Sequence, residues 1–132
     1  MSESVLTGKK VLVIGGETAL GRAVLIGLAE AGADVAIASL VADTKAEFAI
    51  NSALNELWAL GRKGIALAID ASDAEQLRGA LENAERELGT INLVVAAGEV
   101  ASEALDGREV TELNADANVV DALASVVSRL SA

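Results

Sequence analysis

The stretch VIGGETALGRA, Val13 to Ala23, decides the fold. A short β-branched run reaches Gly15 and Gly16, and an apolar helical pattern begins around Gly21. In a strand–glycine loop–helix unit the first glycine makes the tight turn and the next admits a pyrophosphate to the backbone. A third lets helix and strand touch, while the helix N-terminus faces the anion. Glycine is also needed there for steric reasons alone, so the loop reads equally as a nucleotide cradle and as a plain turn. No lysine follows as in a P-loop, which excludes a Walker-type NTPase.

Working outward, the chain alternates between two periods. KVLVIGG reads as a buried strand, and Ala19 to Glu30 as a helix with Leu20, Val24 and Leu28 on one face and Gly32 as its stop. Asp34 to Ser39 is the second strand. Asp43 to Leu60 is the next helix, with Thr44 and Glu47 spaced as a capping box. Gly64 to Asp70 is the third strand. A helix follows, with Ser72 and Glu75 as its capping box and Leu77, Leu81, Ala84 and Leu88 as its stripe. Ile91 to Gly98 is the fourth strand, and roughly Val110 to Leu130 a long last helix. The strands are continuous apolar runs, as strands buried on both faces should be. The expected fold is therefore α/β, a three-layer Rossmann-like sandwich whose four-stranded parallel sheet has the order 3-2-1-4.

Composition narrows the chemistry. The 132 residues make a single domain, 1–132, and with 52% apolar residues and a mean hydropathy of +0.44 disorder is excluded. No uncharged run reaches the ~18 residues that cross a bilayer, and the N-terminus has no secretory h-region. There is no Cys, His, Tyr or Pro, and Phe48 and Trp58 are the only aromatics. Thiolate and imidazole chemistry are thus absent, no metal site is expected, and a cytoplasmic protein is the simplest reading. The net charge of −10 opposes nucleic acid and anionic membranes as partners.

Four segments carry a family resemblance. TGKKVLVIGGETALGRAVLIGLAEAGADVAIAS resembles the opening of the short-chain dehydrogenase/reductases, whose glycine motif is T-G-x-x-x-G-x-G; Ile14, Gly15, Ala19 and Gly21 fall at its defined positions. ALGRKGIALAIDASD resembles the segment into the third strand, with Asp70 at the place of the acidic residue that contacts adenine. LVVAAG resembles the family's L-V-N-N-A-G, with Val95 and Ala96 in place of the asparagines, and TELNADA resembles the helix bearing the active-site Asn, at Asn114. The resemblance runs from Thr7 to about Ala124. It implies an NAD or NADP site at Gly15, Gly16, Thr18, Ala19, Leu20, Gly21, Ser39, Asp70, Ala71, Ala97 and Gly98.

The departures cluster at that site. Ala19 replaces the middle glycine, and its methyl group opposes the closest approach of a pyrophosphate. Glu17 replaces a small residue, and its carboxylate would repel a pyrophosphate by on the order of 1–4 kcal/mol at contact. Ser39-Leu40 carries neither the Asp of NAD users nor the Arg of NADP users, and Lys45 reads as a solvated first-turn lysine. The family's catalytic Ser and Tyr-x-x-x-Lys have no counterpart, so no catalytic residue is assigned and Asn114 is expected to be vestigial.

With no fifth strand expected, the fourth strand should lie at an open edge. The last helix carries two apolar stripes, Leu113, Ala117, Val120, Ala124 and Val127, and Val119, Leu123, Val126 and Leu130. One docks on the sheet and the other asks for a partner, so a homodimer is expected through this helix, the fourth-strand edge, or both. Three functions follow in descending order. They are a non-catalytic NAD(P)- or nucleotide-binding subunit, an interaction protein with a decayed cofactor site, and part of an oxidoreductase completed by another chain.

Overall fold

The computed structural model describes residues 5–114 and 118–131. Its strands are β1 (Lys10–Ile14), β2 (Asp34–Ala38), β3 (Gly64–Leu67), β4 (Leu93–Ala96) and β5 (Val110–Glu112). Its helices are α1 (Ala19–Glu30), α2 (Thr44–Ala59), α3 (Ala74–Leu88) and α4 (Val119–Ser131), and a 3-10 turn covers Ser102–Leu105. The sheet is parallel throughout, in the order β3-β2-β1-β4-β5. Ile14 stands between Ala38 and Ala96, so the carboxyl ends of the three central strands are flush.

The alternation of side chains along a strand sorts the core into two layers. Val11 and Val13, with Val35, Ile37, Leu93 and Val95, face α1, α2 and α4 through Val24, Leu28, Leu57 and Val126. Leu12 and Ile14, with Ala36, Ala38 and Val94, face α3 and the 3-10 turn through Leu77, Leu81 and Leu105. This is the expected three-layer sandwich.

It has five strands, however, not four. Val110 and Thr111 pair with Val94 and Val95, and the Leu113 N–H donates to the Ala96 carbonyl at 2.8 Å. The edge of β4 is therefore covered, and the sheet ends at β5. The last helix begins at Val119, with the Asn118 side chain capping it by accepting from the Asp121 N–H at 3.0 Å, and not at Val110. The Val110/Leu113 spacing fits a helix, yet two β-branched neighbours beside an open strand gain more by completing the ladder.

Two caps also differ by one residue. Asp43 rather than Thr44 caps α2, accepting from the Ala46 N–H at 2.7 Å. Asp73 rather than Ser72 caps α3, accepting from the N–H groups of Glu75 and Gln76. In each case the carboxylate stands one residue before or after the hydroxyl and is the better acceptor for free amides at a positive helix end.

On α4 the buried residues are Ala122, Val126 and Leu130, while Val120 is 73% exposed and Ala124 also faces outward. Ala117 lies outside the described residues. Both aromatics, Phe48 and Trp58, stand on α2 and are exposed, at 79% and 56%. Among the described residues no helix is long and apolar enough to cross a membrane.

Candidate functional site: the crevice between β1 and β4

The glycine loop leaves β1 through Gly15, whose φ of +99° only glycine adopts without strain. Its N–H donates to the Ala38 carbonyl at 2.8 Å, tying the turn to the end of β2. A β-carbon on Gly16 would stand 2.3 Å from Ile37 Cγ2, and one on Gly21 would stand 2.2 Å from the Gly15 carbonyl oxygen. Packing alone therefore demands these glycines. Thr18 completes the turn: its hydroxyl donates to the Gly15 carbonyl at 2.7 Å and accepts from the Gly21 N–H at 2.9 Å. With that amide taken, the N–H groups of Ala19 and Leu20 remain at the helix end without an acceptor among the described residues.

Across the crevice, the loop after β2 reaches back. A β-carbon on Gly98 would lie 2.7 Å from Leu40 Cδ1, and one on Gly15 would lie 3.3 Å from the same atom. The Leu40 side chain thus spans the gap between the ends of β1 and β4, where strand order reverses and an open α/β sheet takes its ligand. Its backbone is held on both sides. The N–H donates to Glu17 Oε2 at 2.8 Å, and the carbonyl accepts from the Ala71 N–H at 2.9 Å. The Val41 N–H also points to Glu17 Oε2, at 3.4 Å, while Glu17 Oε1 is buried without a hydrogen-bond partner. Glu17, Asp43 and Lys45 line a cavity of ≈ 150 Å³ beside this contact.

The other site residues are committed to the fold. Ser39 is buried, its hydroxyl donating to the Ile69 carbonyl and accepting from the Ile69 N–H, both at 2.9 Å. Asp70 accepts from the Ser72 hydroxyl at 2.6 Å and from the Ser72 N–H at 3.0 Å, and these bonds hold its carboxyl below the usual carboxylate range. Ala71 is buried and its carbonyl accepts from the Ala101 N–H. The Ala97 N–H donates to the Ile14 carbonyl at 2.8 Å, and its methyl group packs against Gly15.

The structure therefore gathers Gly15, Gly16, Thr18, Ala19, Leu20 and Gly21 on one rim and Ala97 and Gly98 on the other. Asn114 is apart from them, exposed beyond β5 and on no helix, beside a ≈ 190 Å³ cavity with Thr111, Asp121 and Ser125. Leu40 was the residue sequence reasoning overlooked as an occupant. Its place two residues after β2, at the position to which the family resemblance gives a cofactor-selecting Arg, was the available signal.

A dinucleotide needs room between Gly15 and Gly98 and an anion-friendly loop. Leu40 fills the first and the Glu17 carboxylate opposes the second, so the residues as arranged do not fit a dinucleotide.

Comparison with known proteins agrees with the architecture. The model of the family described as short chain dehydrogenase matches residues 9–127. An L-rhamnose 1-dehydrogenase (NAD(P)(+)) of Sphingomonas sp. (strain SKA58) is 37% identical over 92 residues, which is 70% of this chain and 35% of that protein. A short-chain type dehydrogenase/reductase from Mycobacterium marinum superposes with a TM-score of 0.63 at 32% identity, covering 72% of this chain and 36% of the other. A 7α-hydroxysteroid dehydrogenase, solved as a complex with NADH and 7-oxo glycochenodeoxycholic acid, gives 0.63 at 26% identity, covering 72% and 36%. The chain spans about a third of the length of the curated relatives it matches. It belongs to the short chain dehydrogenase family.

Proposed function

We propose that this member of the family is a non-catalytic interaction subunit whose dinucleotide crevice is closed. The observation that carries this reading is the Leu40 side chain lying across the gap between Gly15 and Gly98. Titration calorimetry with NAD, NADP and AMP tests it. The expected result is no saturable binding up to about 1 mM, an affinity of only ~4 kcal/mol; micromolar binding of any of them would overturn it.

A second reading, a nucleotide-holding subunit, is favoured by the preserved turn at Gly15 and by the two N–H groups of Ala19 and Leu20 at the start of α1. NAD or NADP would then lie against Gly15, Gly16, Thr18 and Gly21, with Asp70 toward the adenine. A third, an oxidoreductase completed by further sequence or another chain, rests on relatives about twice as long. The partner we propose is a second copy meeting this one through the outward face of α4, with Val120 and Ala124 at its centre. The cysteine-free sequence suits a cytoplasmic setting.

A further inference from the structure

We infer that Glu17 and Leu40 form an internal latch over a dinucleotide pocket that the fold still retains, so that the crevice is closed by two side chains and not lost. This rests on the reading of a closed crevice given above.

Three observations converge on it. First, the backbone of the pocket is intact: the Gly15 turn, the unfilled amides of Ala19 and Leu20, and Gly98 opposite are all present, with the Ala19 methyl group the one addition on the loop itself. Second, the backbone of Leu40 is held on both sides, its N–H by Glu17 and its carbonyl by Ala71, and its Cδ1 lies within 2.7 Å of where a β-carbon on Gly98 would stand and 3.3 Å of one on Gly15.

Third, Glu17 is oriented against its own convenience. An acidic residue just before α1 would be favoured by the positive helix end. Glu17 turns instead to the loop after β2, satisfying Leu40 and Val41 with one oxygen while the other is buried unpartnered. Buried polar atoms are seldom left so. The carboxylate lines the small cavity at the start of α2 with Val41, Asp43 and Lys45, and so holds the loop that carries Leu40 against the glycine turn. The ligand class is set by the pocket, an adenine dinucleotide or its adenine-nucleotide half.

The test uses the full 132-residue chain with NAD, NADP and AMP as probes. Glu17→Ser releases the Leu40 amide, Leu40→Ala empties the gap without touching Glu17, and the double variant does both. Calorimetry is expected to show at least ~10-fold tighter binding of one of the three ligands by the double variant than by the parent. Hydrogen exchange is expected to show a protected Leu40 amide in the parent and a rapidly exchanging one in Glu17→Ser. Folded variants that bind no better overturn the latch while leaving the closed, non-catalytic reading intact, and so does a Leu40 amide that exchanges freely in the parent. Micromolar binding by the parent overturns the closed-crevice reading; the latch then survives only if the variants still tighten tenfold. If Glu17→Ser fails to fold, Leu40→Ala alone decides the matter, and no gain from it overturns the latch.

Discussion

Two crossovers leave the central strands, and they are built differently. From β1 the chain passes through the glycine loop and the three turns of α1 before reaching β2, and every step is set by backbone packing. From β4 it reaches β5 through residues 97–109 with one 3-10 turn, held by the Ala101 N–H on the Ala71 carbonyl and by a paired Arg108 and Glu85. The first connection is fixed by what cannot fit. The second is fixed by what happens to pair. Steric fixation should be far less forgiving than electrostatic fixation.

The largest effect that would test this contrast is at Gly21. Any β-carbon there meets the Gly15 carbonyl oxygen, so Gly21→Val is expected to lose more than ~4 kcal/mol, much of a small domain's stability. Circular dichroism should show an unfolded or barely folded chain; a cooperative transition near that of the parent would break the comparison at its strongest point.

Next come core truncations on the two connections. Leu28→Ala on α1 removes a fully buried side chain and should cost roughly 3–5 kcal/mol. Leu105→Ala on the 3-10 turn, also buried, should cost about 2 kcal/mol, since a single short turn can settle into the space more readily than a helix. Urea unfolding of both decides the matter, and equal losses would remove the distinction.

A smaller effect is expected at the ion pair. Arg108 binds Glu85 through both guanidinium nitrogens, one bond measuring 2.9 Å, and holds the Glu85 carboxyl below its usual range. Such a carboxylate stabilises the fold above its unfolded value of about 4.3 and loses that contribution as pH falls through the lowered folded value. Arg108→Ala should therefore cost about 1 kcal/mol at pH 7, and the gap between variant and parent should narrow below about pH 4. Thermal melts across pH 3–7 would reveal a constant gap if the pair were idle.

The smallest effect on folding is expected at Val120→Ser, within about 0.5 kcal/mol because the side chain is exposed. Sedimentation analysis should nevertheless show weaker self-association than in the parent. A parent that is monomeric at micromolar concentration sinks the α4 partner proposal outright.

The same contrast explains what the sequence made legible. β1, β2 and α1 could be read from VLVI, DVAIA and the helical spacing of Val24 and Leu28, because burial on both faces and glycine sterics leave few alternatives. β5 could not. A three-residue strand has too few positions to show a period, and Val110, Thr111 and Leu113 satisfy a helical spacing equally well. The caps of α2 and α3 are ambiguous by one residue in the sequence because hydroxyl and carboxylate acceptors stand side by side, as Asp43-Thr44 and Ser72-Asp73. At the crevice, the glycines and the departures Glu17 and Ala19 were visible as residue types. That the Glu17 carboxylate would reach Leu40, 23 positions along, was not, because the contact depends on where two loops converge.

Trp58 carries a practical consequence. The chain has one Trp and no Tyr, so its near-ultraviolet absorption and its emission come from a single indole. That indole stands more than half in water at the end of α2 that leads into β3, on the rim of the sheet opposite Leu40. Its colour should change little when the domain unfolds and hardly at all when the crevice opens. The protein is in effect optically silent about its own interior, and reporters of the crevice have to be built in at the crevice itself.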